Sequence, residues 1–130
     1  MAYEIDWVVQ NRIVSGRFVD VVSVSEARES SNVITEYVVS GDAPVHLIAD
    51  LRDMIHSPTS IQVNRQIASP YLNHPNMGWV IIIGGNAFQQ FMISVLKRLT
   101  SIKVKQTGSY EEALDMLKEI DPSIEQASID

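Results

Sequence analysis

The sequence predicts an α/β domain on a mixed, mostly parallel sheet, with an N-terminal β-hairpin and the element order β-β-α-β-α-β-α-β-α. Two short apolar stretches separated by a polar break open the chain, which is the pattern of a β-hairpin. Apolar runs of strand length then alternate with segments of helical periodicity, which favours parallel strand pairs joined by right-handed crossovers. Capping residues mark the predicted helix starts. The helices are therefore expected to pack against the sheet.

The first three elements are a hairpin and a helix. The stretch "YEIDWVV" alternates apolar and polar residues, and a second apolar stretch follows the polar break at Gln10. Ser23 and Glu26 have the spacing of a capping box, which predicts a helix start at this point. Gly41 is typical of the end of that helix.

The next strand is "VHLIADL", residues 45–51, whose nearly unbroken apolar character indicates a central position covered on both faces. The segment "RDMIHSPTS" after it is predicted to be a loop. Ser57 followed by Pro58 suggests an N-cap with proline at the first helical position. Pro70 is expected to end or kink the helix that follows.

The stretch "WVIIIG" predicts a second central strand, and Asn86 is a suitable cap for the helix after it. Seven apolar residues of that helix form an amphipathic stripe assigned to the core: Ala87, Phe88, Phe91, Met92, Val95, Leu96 and Leu99. Ile93 is an apolar exception on the otherwise polar face. "IKVKQ" then predicts an edge strand. Ser109 predicts the cap of a last helix, which Pro122 stops.

The composition excludes several classes of function. The chain has 130 residues, expected to form one domain over residues 1–122 with a flexible tail over 123–130. The absence of cysteine excludes disulfides, thiolate catalysis and cysteine-based zinc sites. A net charge of −6 without any cluster of Lys and Arg indicates no nucleic-acid partner. No apolar run is long enough to span a membrane, and no signal-peptide pattern is present, so a cytoplasmic protein is expected.

Three local features carry a resemblance to a known family. A strand ends in Asp50–Leu51, a serine-containing segment "IHSPTS" leads into a helix, and the last strand and helix read "IKVKQTGSYEEALDML". Together with the element order over roughly residues 3–120, these features resemble the STAS domains, typified by bacterial anti-sigma factor antagonists. The resemblance implies a regulatory or protein-interaction domain rather than an enzyme. It implies a protein partner and allows a homodimer.

In the antagonists, a serine at the start of the helix after the Asp-Leu strand is phosphorylated by a partner kinase. Ser57 lies closest to that position, with His56 before it and Pro58 after it where the family usually has Asp-Ser-Ser or Asp-Ser-Thr followed by glycine. The candidate phosphoacceptor or ligand loop contains Asp50, Asp53, His56, Ser57 and Thr59. The alternative interpretation is structural: Ser57 caps the helix, Asp50 accepts hydrogen bonds from loop amides, and Arg52 pairs with a carboxylate.

A second candidate is the turn formed by Gly84, Gly85 and Asn86. A helix N-terminus at the end of a central parallel strand is a place where anions bind. Neither G-x-x-x-x-G-K-[ST] nor G-x-G-x-x-G is present, which favours a tight turn capped by Asn86. The three histidines lack the spacing of a metal site. No metal, cofactor or catalytic residue is predicted.

Two further hypotheses remain open. The helix over residues 86–99 and Trp79 could line a pocket for a small apolar or lipid ligand, which would make the protein a carrier. A small hydrolase using the loop from Asp50 to Ser57 is the other hypothesis, although the G-x-S-x-G nucleophile elbow is absent.

Overall fold

The computed structural model describes residues 2–99 and 103–124. These residues form strands and helices in the predicted order, with the following bounds: β1 Tyr3–Val9, β2 Ile13–Val21, α1 Val24–Ser40, β3 Val45–His56, α2 Ile61–Leu72, β4 Met77–Ile83, α3 Ala87–Leu99, β5 Val104–Thr107 and α4 Tyr110–Ile120. The strands lie side by side in the order β1-β2-β3-β4-β5. The predicted α/β fold class is confirmed.

The sheet combines one antiparallel pair with parallel pairs. β1 and β2 form the hairpin, and β2, β3, β4 and β5 run parallel to one another. The carboxyl ends of these four strands therefore meet at one edge of the sheet, which we call the carboxyl edge. Each helix follows one of these strands and begins at this edge. We call the opposite end of the sheet the amino edge.

The core has a layer on each face of the sheet, because successive side chains of a strand point to opposite faces. On one face, Leu47 and Ala49 of β3 pack with residues of α1, α2 and α3. On the other face, Ile48 packs with Ala113 and Leu117 of α4. We call these the three-helix face and the α4 face. Apolar side chains on both sides of β3 explain its unbroken apolar sequence.

α2 does not end at Pro70, whereas α4 ends before Pro122 as predicted. α2 continues through Pro70 to Leu72, two residues beyond the expected break. Proline cannot donate to the carbonyl four residues earlier, and the carbonyl oxygen of Gln66 instead accepts a hydrogen bond from the Ser69 hydroxyl at 3.2 Å. After α4, the chain passes Pro122 and buries Ile124 completely in the α4-face layer. Residues 125–130 of the predicted tail lie outside the described residues.

Candidate functional site

The strand that leads to the predicted loop is longer than expected. β3 runs to His56, so residues 52–56 are strand and the loop prediction for them is wrong. β4 pairs with β3 only as far as Asp50, whereas β2 continues alongside it up to the pair Val21–His56. The amide of Val22 also donates to the His56 carbonyl at 2.9 Å. Because β2 supplies the hydrogen bonds, the end of β3, residues 52–56, stays extended past the last residue of β4 that pairs with it.

The helix after β3 begins later than predicted. Ser60, not Ser57, is the N-cap of α2, and its hydroxyl accepts a hydrogen bond from the Val63 amide at 3.2 Å. Ser57 is half-buried, while Thr59 and Ser60 are exposed. Ser57 therefore lies three residues before the cap, at what we call the junction, residues 57–60 between β3 and α2.

The two carboxylates of the predicted loop are both bound by arginines. Asp50 is buried and accepts two hydrogen bonds from the Arg52 guanidinium in a bidentate pair. Nε of Arg52 lies 3.0 Å from Oδ1 of Asp50, and Nη2 lies 2.8 Å from Oδ2. These hydrogen bonds lower the pKa of Asp50 against the opposing effect of burial. Asp53 is exposed and pairs with Arg17 at 2.7 Å. Each carboxylate of the predicted loop therefore has an arginine partner.

The structure does not assemble a catalytic triad from this segment. Asp50 and His56 are six residues apart along one strand, which separates them by roughly 20 Å. Among the described residues, no hydrogen bond joins Asp50, His56 or Ser57 to one another. A nucleophile and its base need to be within hydrogen-bond distance, so the geometry does not support the hydrolase hypothesis.

The glycine pair forms a sharp turn between β4 and α3. Gly84 and Gly85 have φ angles of 71° and 103°, in the region that favours glycine. A Cβ atom on Gly84 would lie 2.8 Å from Cγ of Arg52, so the missing side chain also makes room for the arginine that binds Asp50. The Gly84 amide donates to the Thr107 carbonyl at 3.1 Å. The turn thus connects three neighbouring strands at the carboxyl edge.

Asn86 caps α3, as the sequence predicts, through a reciprocal pair of hydrogen bonds with Gln89. The Asn86 side-chain oxygen accepts from the Gln89 amide, and Gln89 Oε1 accepts from the Asn86 amide, both at 2.9 Å. This is a capping box. It fixes the orientation of the Gln89 side chain: Oε1 is used by the cap, and Nε2 points away from it.

The buried face of α3 differs from the predicted stripe. Phe91, assigned to the core, is 57% exposed, and Gln89, assigned to the polar face, is only 5% exposed. Ile93, predicted as an exception on the polar face, packs against the core. Gln89, Met92 and Ile93 have the i, i+3, i+4 spacing of one helical face, and this is the face that packs against the core. The side chains of Phe88, Leu96 and Leu99 lie outside the described residues.

Gln89 and Met92 line a cavity on the three-helix face, of about 180 Å³. Its walls are mainly apolar and include Ile34, Ala49, Ile67, Ile82, Met92 and Ile93. Ser57 and Pro58 of the junction also line it. Trp79, predicted to line such a pocket, instead packs with the α4-face layer, and its ring lies 5.4 Å from Lys105 Nζ.

A shallow surface groove runs along the outer side of the junction. Its walls come from residues 21–24, which join β2 to α1, and from residues 56–60 and Val63. Val21 is 57% exposed there, and Val24 is also exposed. We call this surface the junction groove. It places exposed apolar side chains beside the hydroxyls of Thr59 and Ser60.

Comparison with solved structures identifies the architecture. SpoIIAA, an anti-sigma factor antagonist, matches in its unphosphorylated form with a TM-score of 0.66 at 13% identity, covering 91% of this chain and 97% of SpoIIAA. The phosphorylated form of Bacillus SpoIIAA, described as a cell fate determinant, matches with a TM-score of 0.60 at 13% identity, covering 89% and 99%. The chain has a SpoIIAA-like fold.

A further match with the SpoIIAA-like fold is an uncharacterized protein of the DUF3478 family from Shewanella loihica PV-4. Its TM-score is 0.64 at 15% identity, covering 89% of this chain and 92% of that protein. No family model and no curated protein matches the sequence. The predicted STAS-like architecture is confirmed by these structures.

At the amino edge of the SpoIIAA-like fold lies a cluster that the sequence analysis did not find. His46 is buried and bonded through both ring nitrogens: Nδ1 accepts from the Trp79 amide at 2.9 Å, and Nε2 lies 3.0 Å from Asp121 Oδ2. Arg12 pairs with the same carboxylate oxygen at 2.7 Å. We call these three charged or polar residues, Arg12, His46 and Asp121, the amino-edge clamp.

Residues 2–99 and 103–124 contain no group of three His, Cys, Asp or Glu residues arranged to hold a metal ion. Within the same residues, no helix has the length and apolar character needed to cross a membrane.

Proposed function

We propose that this chain is a non-enzymatic, cytoplasmic regulatory domain that binds a protein partner through the junction groove. The proposal rests on the exposed side chains of Val21 and Val24, which line the groove together with Thr59 and Ser60. Apolar side chains in an exposed groove are typical of protein interaction sites. The fold supports the proposal, because SpoIIAA is an anti-sigma factor antagonist and thus acts on another protein.

We further propose that phosphorylation at the junction switches this binding, since SpoIIAA exists in unphosphorylated and phosphorylated forms. The local geometry favours Ser60 or Thr59 over Ser57, because both are exposed at the start of α2. The first turn of α2 contains no acidic residue, whereas α1 and α4 have glutamates in theirs. The positive end of the α2 dipole is therefore available to a phosphate.

A pair of matched variants tests the binding surface. Val21 in the groove and Val39 near the end of α1 at the amino edge have similar exposure, 57% and 54%. We expect Val21→Asp to abolish capture of the partner from cells that make the protein, while Val39→Asp retains it, because a carboxylate desolvated in an apolar contact is costly. Quantitative mass spectrometry of the captured proteins is the measurement.

Equal capture by the two variants, or no protein whose capture depends on Val21, would contradict the proposal. A second copy of the chain is the other possible occupant of the groove. Sedimentation of the purified protein distinguishes it: a dimer that Val21→Asp dissociates and Val39→Asp does not would assign the groove to self-association.

A further inference from the structure

The cavity on the three-helix face is large enough for a small organic molecule. Its volume of about 180 Å³ is comparable to that of an engineered apolar protein cavity that takes up benzene. The cavity is partly open to solvent, and its size and mainly apolar lining, which includes Ile34, Ala49 and Met92, fit a small organic molecule.

One polar atom in the wall has no partner. Gln89 is 5% exposed, and its Nε2 makes no hydrogen bond with any described residue. The capping box holds Oε1 on the Asn86 amide, so the side chain cannot turn to satisfy Nε2 without losing the cap. Leaving a buried donor unpaired is unfavourable, and native structures rarely do so.

Three other polar side chains of the wall use their donors within the protein. The Ser30 hydroxyl donates to the Ala27 carbonyl at 2.8 Å, and the Ser31 hydroxyl donates to the Ile67 carbonyl. The Asn64 amide donates to the Pro58 carbonyl at 2.7 Å. These three donors are therefore not available to a ligand, whereas Gln89 Nε2 is.

The lining carries no formal charge. Among the described residues around the cavity, Tyr71 is the one titratable group, and burial raises its pKa to about 12, which keeps it neutral. The described residues of the lining include no arginine, lysine or histidine that could pair with an anionic headgroup. An ionised ligand would lose its hydration without compensation.

We infer that this cavity is a binding site for a small, uncharged, mainly apolar molecule with one hydrogen-bond acceptor, and that Gln89 Nε2 donates to that acceptor. Ketones, esters and amides on an aromatic ring or a short hydrocarbon chain belong to this class. The cavity and the junction groove share three residues of their walls: Val22, Ser57 and Pro58. Gln89, Ala49 and Met92 line the cavity and not the groove, so variants at Gln89 and Ala49 test the ligand site apart from the proposed partner surface.

Three probes with the same number of non-hydrogen atoms test each part of the inference: acetophenone, isopropylbenzene and benzoate. Each is titrated into ¹⁵N-labelled protein while the backbone and Gln89 side-chain amide signals are recorded by NMR. We expect acetophenone to bind and to shift the Gln89 side-chain signals. Isopropylbenzene is more apolar but lacks the acceptor, so its affinity serves as the reference that does not depend on the Gln89 donor. Benzoate should not bind measurably.

Variants locate the site. Gln89→Glu keeps an oxygen for the Asn86 cap but removes the donor, so the affinity for acetophenone should fall roughly tenfold relative to the affinity for isopropylbenzene. Gln90→Glu is the matched control, since Gln90 is the exposed neighbour on the same helix. Ala49→Ile fills the cavity from β3 and should abolish binding of both neutral probes while the amide spectrum stays dispersed.

The inference is overturned if acetophenone leaves the Gln89 signals unchanged up to its solubility limit. It is also overturned if Gln89→Glu weakens the two neutral probes equally, or if Ala49→Ile binds them like the wild type. Should Gln89→Glu fail to fold, the effect of acetophenone on the Gln89 signals and the Ala49→Ile result still decide the outcome.

Discussion

The environment of His46 favours the neutral form of its imidazole ring. The ring is buried, and its Nδ1 accepts a hydrogen bond from the Trp79 amide, which leaves the proton of the neutral ring on Nε2 facing Asp121. A second proton on Nδ1 would remove that acceptor and leave the Trp79 amide unpaired. Burial lowers the pKa of His46, and this effect outweighs the opposing effect of the hydrogen bond with Asp121.

The lowered pKa of His46 predicts that the protein becomes less stable as the pH falls below neutral. The unfolded chain has an ordinary histidine pKa of about 6.5, so it binds the proton more readily than the folded protein. The contribution to stability is therefore complete above about pH 6.5 and is lost as the pH falls from there toward the folded pKa. Urea unfolding at a series of pH values between about 8 and 5 measures it.

The control for this prediction is His46→Gln, whose amide can accept from Trp79 and donate to Asp121 without titrating. The other histidines are present in both proteins, so their contributions cancel in the difference. We expect the variant to lose less stability than the wild type over this interval. Parallel stability profiles for the two proteins would rule out His46 as the titrating group.

At the scale of the element, the start of α2 is the place where a covalent modification would act most directly. We expect phosphoserine at position 60 to raise the free energy of unfolding by about 0.5 to 1 kcal/mol, because the phosphate would lie at an uncompensated helix N-terminus. Ser109, the N-cap of α4, is the matched control, since Glu111 and Glu112 already occupy the first turn of that helix. Phosphoserine at position 109 should lower stability through repulsion between like charges.

Both phosphoproteins are obtained in homogeneous form by genetic encoding of phosphoserine, and denaturant unfolding provides the comparison. Changes of the same sign at the two positions would show that the acidic residues of the first turn do not control the effect. The assignment of Ser60 as the better acceptor would then lose its electrostatic basis.

The sequence predicted the order and type of the elements, but not where some of them begin and end. Ser57–Pro58 and Ser60 both satisfy the local rules for a helix start, and the choice depends on the pairing of β3 with β2 up to His56. That pairing is a contact between distant parts of the chain. Local capping patterns therefore located the junction to within three residues and misassigned the cap.

The orientation of α3 was mispredicted for a related reason. Apolar periodicity assigns Phe91 to the core, yet the buried face of α3 contains Gln89, Met92 and Ile93. The spacing of Asn86 and Gln89 is itself a capping-box signal. That signal predicts the hydrogen bonds of Gln89 but not its burial, because Glu26, in the same position of the α1 capping box, is only half-buried.

At the scale of the whole molecule, the two edges of the sheet have different roles. The carboxyl edge has the junction, the groove and the glycine turn, while the amino edge is held by the clamp of Arg12, His46 and Asp121. Arg12 and Asp121 are 109 positions apart, so the clamp joins the hairpin to the chain after α4. No local pattern in the sequence indicates a contact of this range.

The clamp predicts a large difference between two aspartates that each pair with an arginine at 2.7 Å. The Arg12 and Asp121 side chains are 11% and 14% exposed, whereas those of Arg17 and Asp53 are 46% and 55% exposed. Asp121→Ala leaves Arg12 and His46 without their shared acceptor in a mostly buried position, and we expect a loss of about 3 kcal/mol. Asp53→Ala removes a solvent-screened pair and should cost less than about 1 kcal/mol.

Urea unfolding of the two alanine variants at neutral pH measures both losses. The double variant Arg12→Leu/Asp121→Ala separates the pairing itself from the penalty of a stranded charge, because replacing both partners removes the buried guanidinium as well. It should recover part of the stability that Asp121→Ala loses. Equal losses for Asp121→Ala and Asp53→Ala would mean that the amino-edge clamp is no stronger than a surface ion pair, and that apolar burial of Ile124 alone attaches the chain after α4 to the sheet.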